Sequence, residues 1–378
     1  MGFGIVIPIL PLYGERFGPS GLTLGLLMAS YSAMQFLFAP ILGRLSDRVG
    51  RRPVLLVSLV GSVIGYLLFG FAGSMVVLFA SRIIDGISGG NIATAQAVIA
   101  DITGPEDRAK GMGIIGAAFG LGFIVGPAVA ALLVDIQPWL PGVAAAVTSS
   151  VAFLLVFFKL PETLPPEARR TGSRPHPLSP ASLRETIGLH PLLILCFAAV
   201  LLVIFAFSNF ETTFAQFAKA EHGLGMSRIG WLFVYVGVLG AVVQGGLVGR
   251  LVKVFGEQKL LIVGLTLAAL SVAVVPYPSG IGGLLIVLGF YSLGQGFASP
   301  TLSSLTTKLV QPDEVGGVMG IYQAFSSLAR IGGPIWAEIA FHHGSSWPFR
   351  SAALAYLLAL GVAIVVVGRL RRNSVSTP

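Results

Sequence analysis

The sequence predicts an all-α membrane protein of about twelve spanning helices. Of its 378 residues 54% are hydrophobic and only 11% are charged, whereas ordinary soluble domains carry about 25% charged residues. Apolar stretches of helical spanning length recur from end to end, and the lysines and arginines gather at their ends. A closed barrel would instead show alternating runs of about ten residues. The net charge of +8 does not point to nucleic acid, because the charges sit in short loops. One cysteine, Cys196, excludes an internal disulfide and a thiolate metal site, and none of the five histidines lies mid-span.

In chain order the spans read 1–13, 22–43, 53–71, 75–101, 108–134, 139–160, 191–214, 227–251, 258–276, 279–308, 315–341 and 348–369. The first is short: thirteen helical residues rise about 20 Å against a hydrocarbon core of about 30 Å. The expectation is a first helix lacking its opening half; no basic n-region or small-residue cleavage site marks a signal peptide. One set of loops and the C-terminal tail hold eighteen Lys and Arg residues, the opposite loops four, and Arg82 and Arg330 lie inside spans. That asymmetry places both termini in the cytoplasm. Residues 161–190, rich in Pro, Arg, Glu and Ser, read as a cytoplasmic linker between an N-terminal six-helix bundle, 1–160, and a C-terminal one, 191–378.

The halves repeat. Gly43-Arg44-Leu45 with Gly50 and Leu55 recurs 206 residues later as Gly249-Arg250-Leu251 with Gly256 and Leu261. Met112-Gly113-Ile114 with Ala117 and Pro127 recurs 207 residues later as Met319-Gly320-Ile321 with Ala324 and Pro334. Such duplication is a transporter architecture.

After the second span the chain runs Gly43-Arg44-Leu45-Ser46-Asp47-Arg48-Val49-Gly50-Arg51-Arg52. Gly50 supports a tight turn, and Asp47 is placed to accept hydrogen bonds from arginines or a helix N-terminus. This loop resembles the signature between helices two and three of the major facilitator superfamily, and a latch that holds one side of the transporter shut is one reading. A plain basic loop is the other. The second-half copy has Lys253 where Asp47 stands.

The fourth span holds Arg82 and Asp85. An arginine deep in a span costs about 2.5–3.5 kcal/mol on the lenient insertion scale, so it must be paired or wet. At 100° per residue Arg82, Asp85, Gly89, Ala93 and Gln96 fall on one face, and Asp85 is the expected partner. The stretch from Arg82 to Asn91, with Asp101 beyond, resembles the tetracycline-exporter branch of the superfamily, where the resemblance implies proton coupling through this arginine. A structural ion pair is the alternative. In the fifth span Gly116, Gly120, Gly122, Gly126 and Pro127 resemble the superfamily's antiporter signature. Glycines at this spacing give a flat face for close helix contact, and Pro127 permits a bend. Generic small-residue packing competes with that reading.

Two other matches fail. Gly111-Met-Gly113-Ile-Ile-Gly116 follows no strand, so it is no dinucleotide loop. Gly86-Ile-Ser88-Gly89 has no nearby base to make a protease. Further intramembrane polar groups are candidate substrate-cavity residues: Gln35, Gln96, Glu211, Tyr291, Gln295, Gln323 and Arg330, with Glu338 beside them. Trp231 and Tyr235 read as belt aromatics.

The resemblance covers essentially the whole chain. It implies a twelve-helix major-facilitator-type fold of two pseudo-symmetric six-helix bundles. The implied activity is proton-coupled export of small amphipathic or drug-like molecules across the plasma membrane by a monomer. Protons are the coupling ion, no cofactor is implied, and the expected partners are the bilayer and a small-molecule substrate. A nutrient uniporter or proton symporter of the same fold, and a non-transporting sensor, remain as alternatives.

Overall fold

The structure, a computed structural model, describes residues 1–103, 108–165, 188, 191–311 and 314–375. Among the described residues it is helical and contains no strand. The helices are α1 (Gly2–Val6), α2 (Leu10–Gly14), α3 (Gly21–Val49), α4 (Arg51–Gly70), α5 (Met75–Gly89), α6 (Ile92–Ile102), α7 (Arg108–Leu133) and α8 (Leu140–Lys159). They continue as α9 (Leu193–His222), α10 (Met226–Val242), α11 (Val248–Phe255), α12 (Glu257–Val274), α13 (Ile281–Thr307), α14 (Val315–His343) and α15 (Trp347–Val375). Among the described residues nine helical segments are long and apolar enough to cross a membrane. The expected linker lies outside the described residues from residue 166 onward, apart from Gly188.

Four expected elements differ in detail. The first span is two short helices, because Pro8 and Pro11 lack the N–H groups that would bond to Gly4 and Ile7. The signature after the second span is not a loop: Gly43 to Val49 form the end of α3, and only Gly50 turns, at φ +111°. The fourth span breaks between α5 and α6 at Gly90 and Asn91. The eighth contains a π-helical turn, Val243–Leu247, that includes Gly245 and Gly246.

Contacts divide the chain into two compact units, Met1–Arg174 with Leu224–Val234, and Pro175–Gly223 with Tyr235–Pro378. In the first, α4 packs on α5 and α8, α3 on α5, and α1 on α7 and α8. Its core gathers Ile5, Leu10, Leu27, Phe69, Leu78 and Ala145. The α1–α7 contact depends on glycine: a side chain at Gly126 would collide with the backbone of Gly4. In the second unit α12 packs on α13 and α15, and α9 on α14 and α15. Phe210 and Tyr291 meet with ring centroids 4.4 Å apart, and the Tyr291 and Tyr356 hydroxyls are 3.2 Å apart.

Exposure is inverted relative to a soluble protein. Val57, Val76 and Phe158 are exposed, while Arg82, Asp85, Asn209 and Glu338 are buried. Apolar side chains outside and polar ones inside suit hydrocarbon as the surrounding solvent.

Candidate functional site: a buried ion pair and a charged helix corner

Arg82 and Asp85 sit one turn apart on α5. Arg82 Nη1 donates to Asp85 Oδ2 at 3.1 Å, and each side chain is 2% exposed. Ser62 and Tyr66 of α4 stand beside the carboxylate as neighbouring hydroxyl donors. Gly65 lets α4 approach: a Cβ there would lie 3.0 Å from the Asp85 Cβ. On the other side, Gly86 brings α5 against the backbone of Tyr31 in α3. The Arg82 guanidinium lies over the Tyr31 ring, 4.6 Å from its centroid. Its Nε is buried and has no hydrogen-bond partner among the described residues.

Gln35 joins this region, donating to the carbonyl of Gly89 at 3.1 Å. Gln96 does not, and this corrects the one-face expectation. The break at Gly90 and Asn91 resets the helical phase, so α6 leaves Gln96 exposed while Arg82 and Asp85 are buried. In the antiporter-signature helix Gly126 faces Gly4 and Gly122 faces Met1, whereas none of the described residues lies within 4 Å of a Cβ position at Gly120.

At the α3–α4 corner Arg51 is the centre of the charges. Its Nη1 pairs with Asp47 and donates to Ser46 Oγ at 2.8 Å, and its Nε donates to Asp101 at 3.1 Å. Glu162 caps the start of α4, accepting from the backbone N–H of Arg51 at 2.8 Å and of Arg52 at 3.2 Å. The Glu162 carboxylate occupies the space that a side chain at Gly50 would need. Burial works to raise the Glu162 pKa, but N–H bonds from Leu164, Arg51, Arg52 and Thr163 outweigh it and hold the carboxyl below the ordinary glutamate value. Arg52 donates to the carbonyl of Phe157 at 2.6 Å. Arg48 is exposed, and a Cβ at Gly43 would lie 3.9 Å from the Ala93 Cβ. The sequence reading missed Glu162 as a partner; its only signal was the acidic residue just after the sixth span.

In the second unit Glu211 and Arg330 interact electrostatically between α9 and α14. Tyr291 is fully buried in the aromatic core. Gln323 is exposed, and Gln295 Oε1 is buried with no partner among the described residues.

The model of the Major Facilitator Superfamily matches residues 1–334 and 199–376. The chain belongs to that superfamily. As a superfamily member it is a multi-pass membrane transporter of small molecules and not an enzyme. It is 32% identical to the tetracycline resistance protein, class C, of Escherichia coli over 99% of this chain and 94% of that one. It is 28% identical to multidrug resistance protein 2 of Bacillus subtilis, over 97% and 91%. Among solved structures, the human organic anion transporter MFSD10 superposes with a TM-score of 0.73 at 26% identity, covering 96% of this chain and 95% of that one. A bacterial homologue of the lysosomal transporter Spinster superposes with a TM-score of 0.79 at 14% identity, covering 97% and 93%; at that identity it supports the fold alone.

Proposed function

We propose that this transporter exports small amphipathic or drug-like molecules in exchange for protons, and that Arg82 and Asp85 couple the two. The observation that carries the reading is the buried pair itself. Burial disfavours an ionised carboxyl, while the adjacent guanidinium favours it. Two opposed influences on one carboxyl make protonation a switch. When Asp85 takes a proton, Ser62 and Tyr66 can still hydrogen-bond to it, but the ion pair is gone. Arg82 then needs another acceptor, and its unpartnered Nε gives it a reason to move. The pair thus offers two arrangements that differ by one proton. A gradient of 100 mV supplies about 2.3 kcal/mol per charge moved, so no nucleotide or bound cofactor is required.

The resistance proteins among the relatives support export of drug-like molecules. The loop charge asymmetry supports both termini in the cytoplasm of the plasma membrane. The Arg51 cluster fits a latch that stabilises one state, and a single chain is taken as the working unit. A second substrate class, organic anions, is favoured by the likeness to MFSD10 and by the cationic Arg330 in α14. Everted vesicles test both. Accumulation of a cationic dye under an inward-acid gradient supports drug export, and accumulation of an organic anion instead moves the reading to the second class. No flux of either kind contradicts the proposal.

A further inference from the structure

Gly50 and Gly256 occupy equivalent places in the repeat, and the structure gives them the same job. Gly50 ends α3 at φ +111° and precedes α4; Gly256 ends α11 at φ +81° and precedes α12. Each glycine adopts a positive φ that a side chain would strain. Their surroundings differ. Beside Gly50 the Glu162 carboxylate fills the corner and accepts from the N–H groups that open the next helix. Beside Gly256 none of the described residues lies within 4 Å of a Cβ position. A cavity of about 590 Å³ opens there instead. That volume is within the range of sites that hold small molecules.

The walls of this cavity are those of an amphiphile site. Phe255, Leu305, Leu309 and Leu370 supply apolar surface, and Lys259 and Lys308 supply cations. Phe255 is 54% exposed. Among the described lining residues the one carboxylate, Glu257, is already engaged: Ser304 donates to one oxygen at 2.8 Å, and Lys308 pairs with the other at 2.9 Å. The Lys308 side chain is still 66% exposed, so its ammonium has further donors to offer, and Lys259 is exposed beside it. The cavity also lies where α11 and α13 end and α12 begins.

We propose that the Gly256 corner binds an anionic phospholipid, its phosphate on Lys259 and Lys308 and its acyl chain along Phe255 and Leu309. Apolar walls select a lipid over a soluble anion, and the two lysines select an anionic headgroup over a zwitterionic one.

The test uses the purified full chain in micelles. Melting is followed with phosphatidylglycerol, phosphatidylcholine or inorganic phosphate added, and bound lipid is counted by native mass spectrometry. Phosphatidylglycerol raises Tm and the other two do not. The substitution Lys259→Gln cuts that rise by about half or more and lowers the bound count. Lys253→Gln, on α11 outside the cavity lining, keeps both. The proposal is overturned if Lys259→Gln keeps the full rise, if Lys253→Gln loses as much, if phosphatidylcholine acts equally, or if inorganic phosphate alone reproduces the effect.

Discussion

Glu162 and Gly50 are locked together: the glutamate carboxylate sits where any side chain at Gly50 would have to go, and it caps the helix that Gly50 introduces. Gly50 also holds φ at +111°. Two independent demands therefore fall on one glycine, steric room and backbone freedom.

Glu162→Ala removes a capping acceptor, an effect of about 0.5–2 kcal/mol at helix N-termini. Lower Tm with insertion retained is the expected result. Because the folded pKa of Glu162 is depressed, its contribution is fully present above the ordinary value of 4.5 and is lost as pH falls through the lower folded value. The Tm difference between wild type and Glu162→Ala should be constant from pH 5 upward and shrink in stronger acid. A difference that grows in acid would show that the carboxylate is not the stabilising form.

Arg51→Lys tests the corner's geometry. Arginine reaches Asp47, Ser46 and Asp101 with a planar fork, and a lysine point charge does not reproduce that. Side-chain exposure of Arg51 is only 9%, so the carboxylates would be left poorly paired. Transport should fall and Tm drop by the equivalent of about 2–3 kcal/mol. Wild-type transport by Arg51→Lys would reduce the cluster to a charge requirement.

How much of this was readable in the sequence depends on distance along the chain. Arg82 and Asp85 were legible because three residues on one helix fix their meeting. Asp101 and Glu162 lie 50 and 111 residues from Arg51, and no periodicity links residues that far apart. Gln96 was misplaced because one unbroken helix was assumed through Gly89 and Gly90. Pro8 and Pro11 did announce the break in the first span, but the apolar run hid it. The π turn at Val243–Leu247 left only a pair of glycines as a trace.

Gly126→Val tests the α1–α7 contact. Its new Cβ would collide with backbone at Gly4 and Ile5, and backbone cannot rotate aside as a side chain can. Overpacking of this kind costs about 1–3 kcal/mol or more. Gly120→Val, where none of the described residues lies within 4 Å of a Cβ position, should leave stability within about 0.5 kcal/mol of wild type. Melting of the two purified variants side by side checks the contrast, and equal losses would contradict the packing account.

The most direct test of coupling is Asp85→Asn, assayed for counterflow and for gradient-driven accumulation in the same everted vesicles. The amide keeps the size of the side chain and can still meet Ser62 and Tyr66, but it cannot cycle a proton. The account predicts folded protein and counterflow near the wild-type rate. Accumulation should be no greater with a proton gradient than without one. Normal gradient-driven accumulation by Asp85→Asn would contradict it and move the coupling role to another buried acid, Glu211 or Glu338.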